Sequence, residues 1–301
     1  MRVAICISGE LRTAYKAWIK NLCHLKDPSL EYYFFFTTWE TNSNPKRPYS
    51  LLDLFLNIFL NIRLEYVKPE AVSETKIFDL FTEYKHALIR ILKENDWERK
   101  KESLVLLPKG RLGRKIIGSM RMFFLIEQCD LDRQKYERDF GFKFDAVMRI
   151  RPDSLLKSNP FEKFFNSKYD LLFYRDPNES KFALGPVNDQ IFVGNSDAIS
   201  NVSDVFSGVS EFTTSNGWFM PTGSIHEVIV AESALSFHVY KKRKLFNVGS
   251  CSESTFLLRP KLVFRFLDSR ERVEVKANSG YFLKHLVKVK VVNLLSLVRR
   301  I

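Results

Sequence analysis

Val3-Ala4-Ile5-Cys6-Ile7-Ser8-Gly9-Glu10-Leu11-Arg12 decides the fold. The run from Val3 to Ile7 is apolar without alternation, which predicts a strand buried on both faces. Ser8-Gly9 closes it, and helical spacing from Leu11 to Leu25 predicts a helix next. Tyr32 to Thr38 is a second apolar strand, ended by the polar stretch Thr41-Asn42-Ser43-Asn44-Pro45. A strand, a helix and a second buried strand make a βαβ unit, so the sheet is expected to be mostly parallel.

The alternation continues along the chain. Helices are predicted over 51–64, 77–92 and 116–129, the last running on to 136. The charged stretch 98–113 reads as a surface loop, and 65–67 as a short strand. Phe144 to Ile150 is a strand that Pro152 ends. Strands follow at 169–174, within 189–194 and within 256–266, with helices at 197–206 and 225–240 and a loop at 213–224. The expected class is α/β, a mostly parallel sheet flanked by helices, with one domain over residues 1–270 and a basic segment over 271–301.

Composition narrows the partners. The chain has 301 residues and a net charge of +12, which favours anionic ligands. Lys276, Lys284, Lys288, Lys290, Arg299 and Arg300 sit in a stretch without Asp or Glu. Val287, Val291, Leu294, Val298 and Ile301 follow helical spacing there, as on a basic amphipathic helix lying on an anionic membrane surface. The alternation from Val287 to Val291 also fits a strand, and packing on the domain is the plainer alternative. Nucleic acid is not an expected partner, because basic charge comes without a recognisable module.

The four cysteines, Cys6, Cys23, Cys129 and Cys251, have neither C-x-x-C nor zinc spacing and read as reduced thiols. No signal peptide is legible, and no stretch reaches the roughly 18 apolar residues of a membrane span. The expected location is the cytoplasm, with peripheral attachment to the inner face of a membrane through the tail. There is no P-loop, no G-x-G-x-x-G and no G-x-S-x-G, which sets aside the commonest NTPase, dehydrogenase and hydrolase classes.

Five places carry candidate chemistry. Ser8-Gly9 lets a ligand approach the backbone, and Arg12 supplies a positive charge for phosphate. An ordinary strand-to-helix turn with a solvated Arg12 is the alternative. Arg149 and Arg151 share one face of their strand, where two arginines need a carboxylate or an anion. Asp153 follows at the strand end, to hold a divalent metal on a diphosphate or to pair with an arginine. Asp189 stands at the mouth of a strand, as a base or as a turn aspartate. On the helix 225–240, Glu232 is a candidate base and His238 an acceptor contact. Lys115 and Ser119 open the helix after the basic loop, where a nucleotide can lie or the helix start is merely solvated.

Taken together, these segments resemble a group of bacterial and viral glycosyltransferase-like proteins. The likeness is carried by the S-G-x-x-R pattern of Ser8 to Arg12, by Thr38-Trp39, by the segment 144–153, by Asp189 to Asp197 and by Ala231 to His238. It covers about a third of the chain. It implies a GT-A-like, Rossmann-type fold, a nucleotide-sugar donor and a glycan or lipid-linked acceptor, served by a hexosyl- or pentosyltransferase. By the same likeness Ser8, Gly9 and Arg12 contact the nucleotide, while Arg149, Arg151 and Asp153 sit at the donor diphosphate. The chain departs from the metal-binding Asp-x-Asp of such enzymes, since Arg151-Pro152-Asp153 stands in its place. Either Asp153 still holds Mn²⁺ or Mg²⁺, or the arginines neutralise the leaving diphosphate without metal. The alternative function is a nucleotide- or nucleotide-sugar-binding protein without catalysis.

Overall fold

The computed structural model describes residues 1–11, 14–40, 62–66, 74–81, 84, 86–102, 110–174, 189–209, 231–242, 244–251, 256–257, 262–266 and 272–275, some by their backbone alone. The chain divides into two compact units, Met1–Asn42 with Ala71–Leu258, and Ser43–Glu70 with Arg259–Ile301. The basic segment 276–301, with its membrane-surface reading, lies outside the described residues, as do 51–61 and 213–224.

In chain order the elements begin with β1 (Arg2–Ser8), α1 (Ala14–Asn21), β2 (Glu31–Trp39), β3 (Ile62–Tyr66), α2 (Glu74–Leu80), β4 (His86–Leu92) and α3 (Glu94–Glu102). They continue through α4 (Gly110–Phe140), β5 (Ala146–Ile150), β6 (Ser154–Leu155), α5 (Pro160–Phe165), β7 (Leu171–Tyr174) and β8 (Ile191–Gly194). Last come α6 (Ser196–Ser203), α7 (Val205–Val209), α8 (Ala231–Lys242), β9 (Val248–Cys251), β10 (Phe256–Leu257), β11 (Leu262–Phe266) and β12 (Arg272–Val275).

Seven strands form the main sheet in the order β4-β2-β1-β5-β8-β7-β9. The pairs β4–β2, β2–β1, β1–β5 and β7–β9 are parallel, and β8 alone runs against both its neighbours. The sheet is therefore mostly parallel, as the alternation of apolar runs predicts. In the second unit β3, β11 and β12 make a three-stranded antiparallel sheet.

Helices cover both faces of the main sheet. α4 lies along β1 and β2 on one side, with Met120, Phe123, Leu125 and Cys129 buried against Ala4, Cys6, Tyr33, Phe35 and Val147. α1 and α5 cover the other side, where Trp18 and Phe161 meet Val3, Ile5, Phe34 and Met148. Each large side chain buried this way contributes about 1.5–3 kcal/mol. Double-sided burial is why β1 reads as an unbroken apolar run.

Three local readings change. The predicted helix over 77–92 is two elements, α2 and then β4, because the run from Ala87 to Leu92 pairs along β2 in parallel register. The predicted loop over 98–113 is helical in its described parts, through α3 and the start of α4. Residues 62–64, placed in a helix by their spacing, belong to β3, which pairs with β11.

Candidate functional site

Strand order fixes where a ligand belongs. From β1 the chain builds outward through β2 to β4, then returns to place β5 on β1's other side. The order therefore reverses between β1 and β5, and ligands of open α/β sheets bind at that point beyond the carboxyl ends. Ser8-Gly9 and Arg149 to Asp153 stand there. They touch directly: Gly9 has φ +147°, and a Cβ added to it would lie 2.8 Å from Pro152 Cδ. Only glycine meets both conditions. The Gly9 N–H also donates to the Thr37 carbonyl at 3.3 Å, which joins the end of β2 to the same place.

Arg149 is buried, at 1% exposure. Its Nε donates to Ser8 Oγ at 3.2 Å and its Nη2 to the Ser8 carbonyl at 3.3 Å. The guanidinium carbon lies 5.8 Å from the centre of the Phe192 ring. Among the described residues its Nη1 has no hydrogen-bond partner. Burial pulls this guanidinium down to about 10, with Asp189 opposing and Arg151 adding to the fall. It still carries its charge at neutral pH.

Arg151, one strand period later, is held differently. Its Nε and Nη2 donate to the two oxygens of Asp153 at 3.0 and 3.2 Å, a bidentate pair. Its Nη1 donates to Asp189 Oδ2 at 3.3 Å. Burial alone would lower its pKa, but the carboxylates of Asp153 and Asp189 outweigh that and raise it. Asp153 and Asp189 are both buried, and Asp189 Oδ1 is without a partner among the described residues. The four groups are formally neutral together. Arg151 is committed to two carboxylates, and Arg149 to none.

The backbone around them is clamped. The Arg151 N–H donates to the Gln190 carbonyl at 3.0 Å, bringing the start of β8 against the end of β5. Asn21, buried at the end of α1, donates from Nδ2 to the Ser154 carbonyl and accepts the Leu156 N–H, both at 2.9 Å. This fixes the turn that carries Asp153.

Both Asp153 oxygens and one Asp189 oxygen are engaged by Arg151. Among the described residues no three His, Cys, Asp or Glu side chains come together as ligands.

The structure thus brings Ser8, Gly9, Arg149, Arg151, Asp153 and Asp189 into one cluster. Ser8 lies wholly buried beneath Arg149 and supports it. His238, on α8, is buried elsewhere: its Nε2 is 2.7 Å from Asp204 Oδ1 and 3.1 Å from the Asn201 carbonyl, at α6 and α7. Ser119 is half-buried on α4. Arg12 lies outside the described residues, as do the side chains of Lys115 and Glu232. Two contributors escape the sequence reading. Asn21 gives no local signal, since its partners are 133 and 135 positions away. Thr37 had one, a hydroxyl at the end of the aromatic strand Tyr32 to Phe36.

No protein-family model and no curated protein matches the sequence. Among solved structures, the chain is similar to the crystal structure of mouse Xyloside xylosyltransferase 1 in its apo form. The TM-score is 0.39 and the identity 12%, over 83% of this chain and 84% of that one. A likeness of that degree does not bear on function.

Proposed function

We propose that this chain is a glycosyltransferase of GT-A-like build, moving a sugar from a nucleotide-sugar donor to a hydroxyl of a glycan or lipid-linked acceptor. The observation that carries the reading is Arg149: a buried, charged guanidinium with one unpartnered nitrogen, at the switch point of a mostly parallel sheet. A buried cation to which no carboxylate is hydrogen-bonded is costly unless an anion completes it. The donor diphosphate supplies that anion.

The side chains suit the reaction in a definite way. Arg149 Nη1 donates to the diphosphate and stabilises the charge that builds as the bond to the anomeric carbon breaks. Arg151 pairs with the Asp153 and Asp189 carboxylates beside it and fixes their orientation. The free Oδ1 of Asp189 accepts the proton of the attacking hydroxyl as its oxygen bonds to the anomeric carbon, which is inverting chemistry. The nucleoside diphosphate leaves with the electron pair of the broken bond.

The test is donor turnover. Purified chain is incubated with UDP-, GDP- and CMP-sugars, with and without Mn²⁺, and free nucleotide is measured. The expected result is release from at least one donor, lowered about 100-fold or more by Asp189→Asn. Release from none, with no nucleotide bound, overturns the reading. Tight binding without release points instead to a nucleotide-binding protein that lacks catalysis, a reading favoured by the engagement of both Asp153 oxygens.

A further inference from the structure

Arg149 Nη1 is not the only polar atom left unsatisfied on its face of the sheet. β1 and β2 pair so that Ser8 lies beside Thr37, and β1 and β5 so that Cys6 lies beside Arg149. Side chains alternate along each strand. Tyr33 and Phe35 face α4, hence so does Thr37; Ala4 and Cys6 do, hence so does Ser8; Val147 does, hence so does Arg149. All three therefore face α4: Thr37 and Ser8 are a register pair at the carboxyl ends of β2 and β1, and Arg149, two residues earlier on β5 beside Cys6, reaches Ser8 through its side chain.

Ser8 is engaged, as the acceptor for Arg149 Nε. Thr37 is 1% exposed and its Oγ1 has no partner among the described residues. Two buried groups able to donate, Thr37 Oγ1–H on β2 and Arg149 Nη1–H on β5, thus stand on either side of Ser8, whose hydroxyl is already used. Buried polar groups are almost always satisfied, so two orphans that meet on either side of Ser8 call for a shared partner. Donors of this kind, one of them charged, are completed by an anionic oxygen.

We infer that Thr37 is a ligand-binding residue: its hydroxyl and Arg149 Nη1 hold one phosphate oxygen of the nucleotide between them. The inference rests on the reading of the site as a nucleotide-sugar site and adds to it a residue on β2. It also divides the site by chemistry. Thr37 and Arg149 present donors, which take phosphate, whereas Asp189 Oδ1 presents an acceptor, which takes a hydroxyl. A hydrogen bond to a charged group is worth about 1.5–3 kcal/mol, equivalent to roughly 10- to 150-fold in affinity.

The test compares the full chain with Thr37→Val and Thr37→Ser. Valine keeps the shape and removes the hydroxyl, and serine keeps the hydroxyl. UDP and GDP are titrated calorimetrically, and each variant's melting temperature is measured without ligand. The expected result is about tenfold or greater weakening in Thr37→Val, with affinity retained in Thr37→Ser. Equal affinity in Thr37→Val and the parent overturns the inference, and if its melting temperature moves instead, Thr37 serves an internal water only. Should Thr37→Val fail to fold, the serine variant and Thr37→Ala are compared, and equal affinity there overturns it too. A parent chain that binds neither nucleotide overturns this inference, and one that binds no CMP either overturns the functional reading with it.

Discussion

Arg149 and Arg151 are two residues apart and face the same way, yet the fold gives them opposite tasks. Arg151 bridges Asp153 and Asp189, a self-contained ion pair network at the lip of the sheet. Arg149 lies deeper and rests on Ser8 and Phe192. The first is satisfied within the protein; the second keeps one nitrogen without a partner among the described residues. Gly9 is what lets the two loops meet. Its positive φ and the 2.8 Å approach of Pro152 leave no room for a methyl group. Gly9→Ala is expected to cost about 1–3 kcal/mol, read as a lower denaturation midpoint, and to displace Pro152 with the Arg151–Asp153 pair behind it. An unchanged midpoint would show that the loops tolerate separation. The charges of the site were legible because Arg149, Arg151, Asp153 and Asp189 interrupt or bound apolar runs. Asn21 and the Gly9–Pro152 contact were not, because each acquires meaning only from a strand or turn distant in sequence, and Thr37 showed only a hydroxyl at the end of an aromatic strand.

At the scale of elements, the long helix α4 determines much of the architecture. Near its carboxyl end Arg133 is wholly buried and donates to Asp130 at 2.8 Å, to Ser196 Oγ at 2.7 Å and to Ser200 Oγ at 2.6 Å. It also pairs with Glu137 at 2.7 Å, and Glu137 accepts the Phe144 N–H at 2.9 Å. One guanidinium thereby ties α4 to α6 and to the approach of β5. Arg133→Met removes the cation and leaves Asp130 and Glu137 buried without it, at an expected cost of about 3–5 kcal/mol in chemical denaturation. A loss below about 1 kcal/mol would mean that the two helices are held by apolar packing alone. Elements buried on both sides, such as β1 and β5, were readable as apolar runs, and α4 by its spacing. β4 was not: it has one strand neighbour, and its residues Ala87, Leu88, Ile89, Ile91 and Leu92 continue the spacing of the helix before it. α3 was missed because it is charged almost throughout and buries Trp97 against Trp39 and Phe124.

Across the whole molecule, a net charge of +12 favours anionic ligands, and the mostly parallel sheet has its switch point at the carboxyl ends of β1 and β5. No described helix is long and apolar enough to cross a membrane. The class of fold followed from the order of apolar runs. The antiparallel β8 and the division into two units did not, because both depend on how segments distant in sequence pair. The most direct measurement of the central claim is thermal stabilisation of the full chain by UDP, GDP, CMP and their sugars, with and without Mn²⁺, compared with Arg149→Met. Methionine fills the buried space without the charge. At 100 times the dissociation constant, a ligand adds about 2.7 kcal/mol, a shift of several degrees at most. The account predicts that at least one nucleotide raises the melting temperature of the parent and leaves Arg149→Met unmoved. Equal stabilisation of both chains, or of neither, would contradict it.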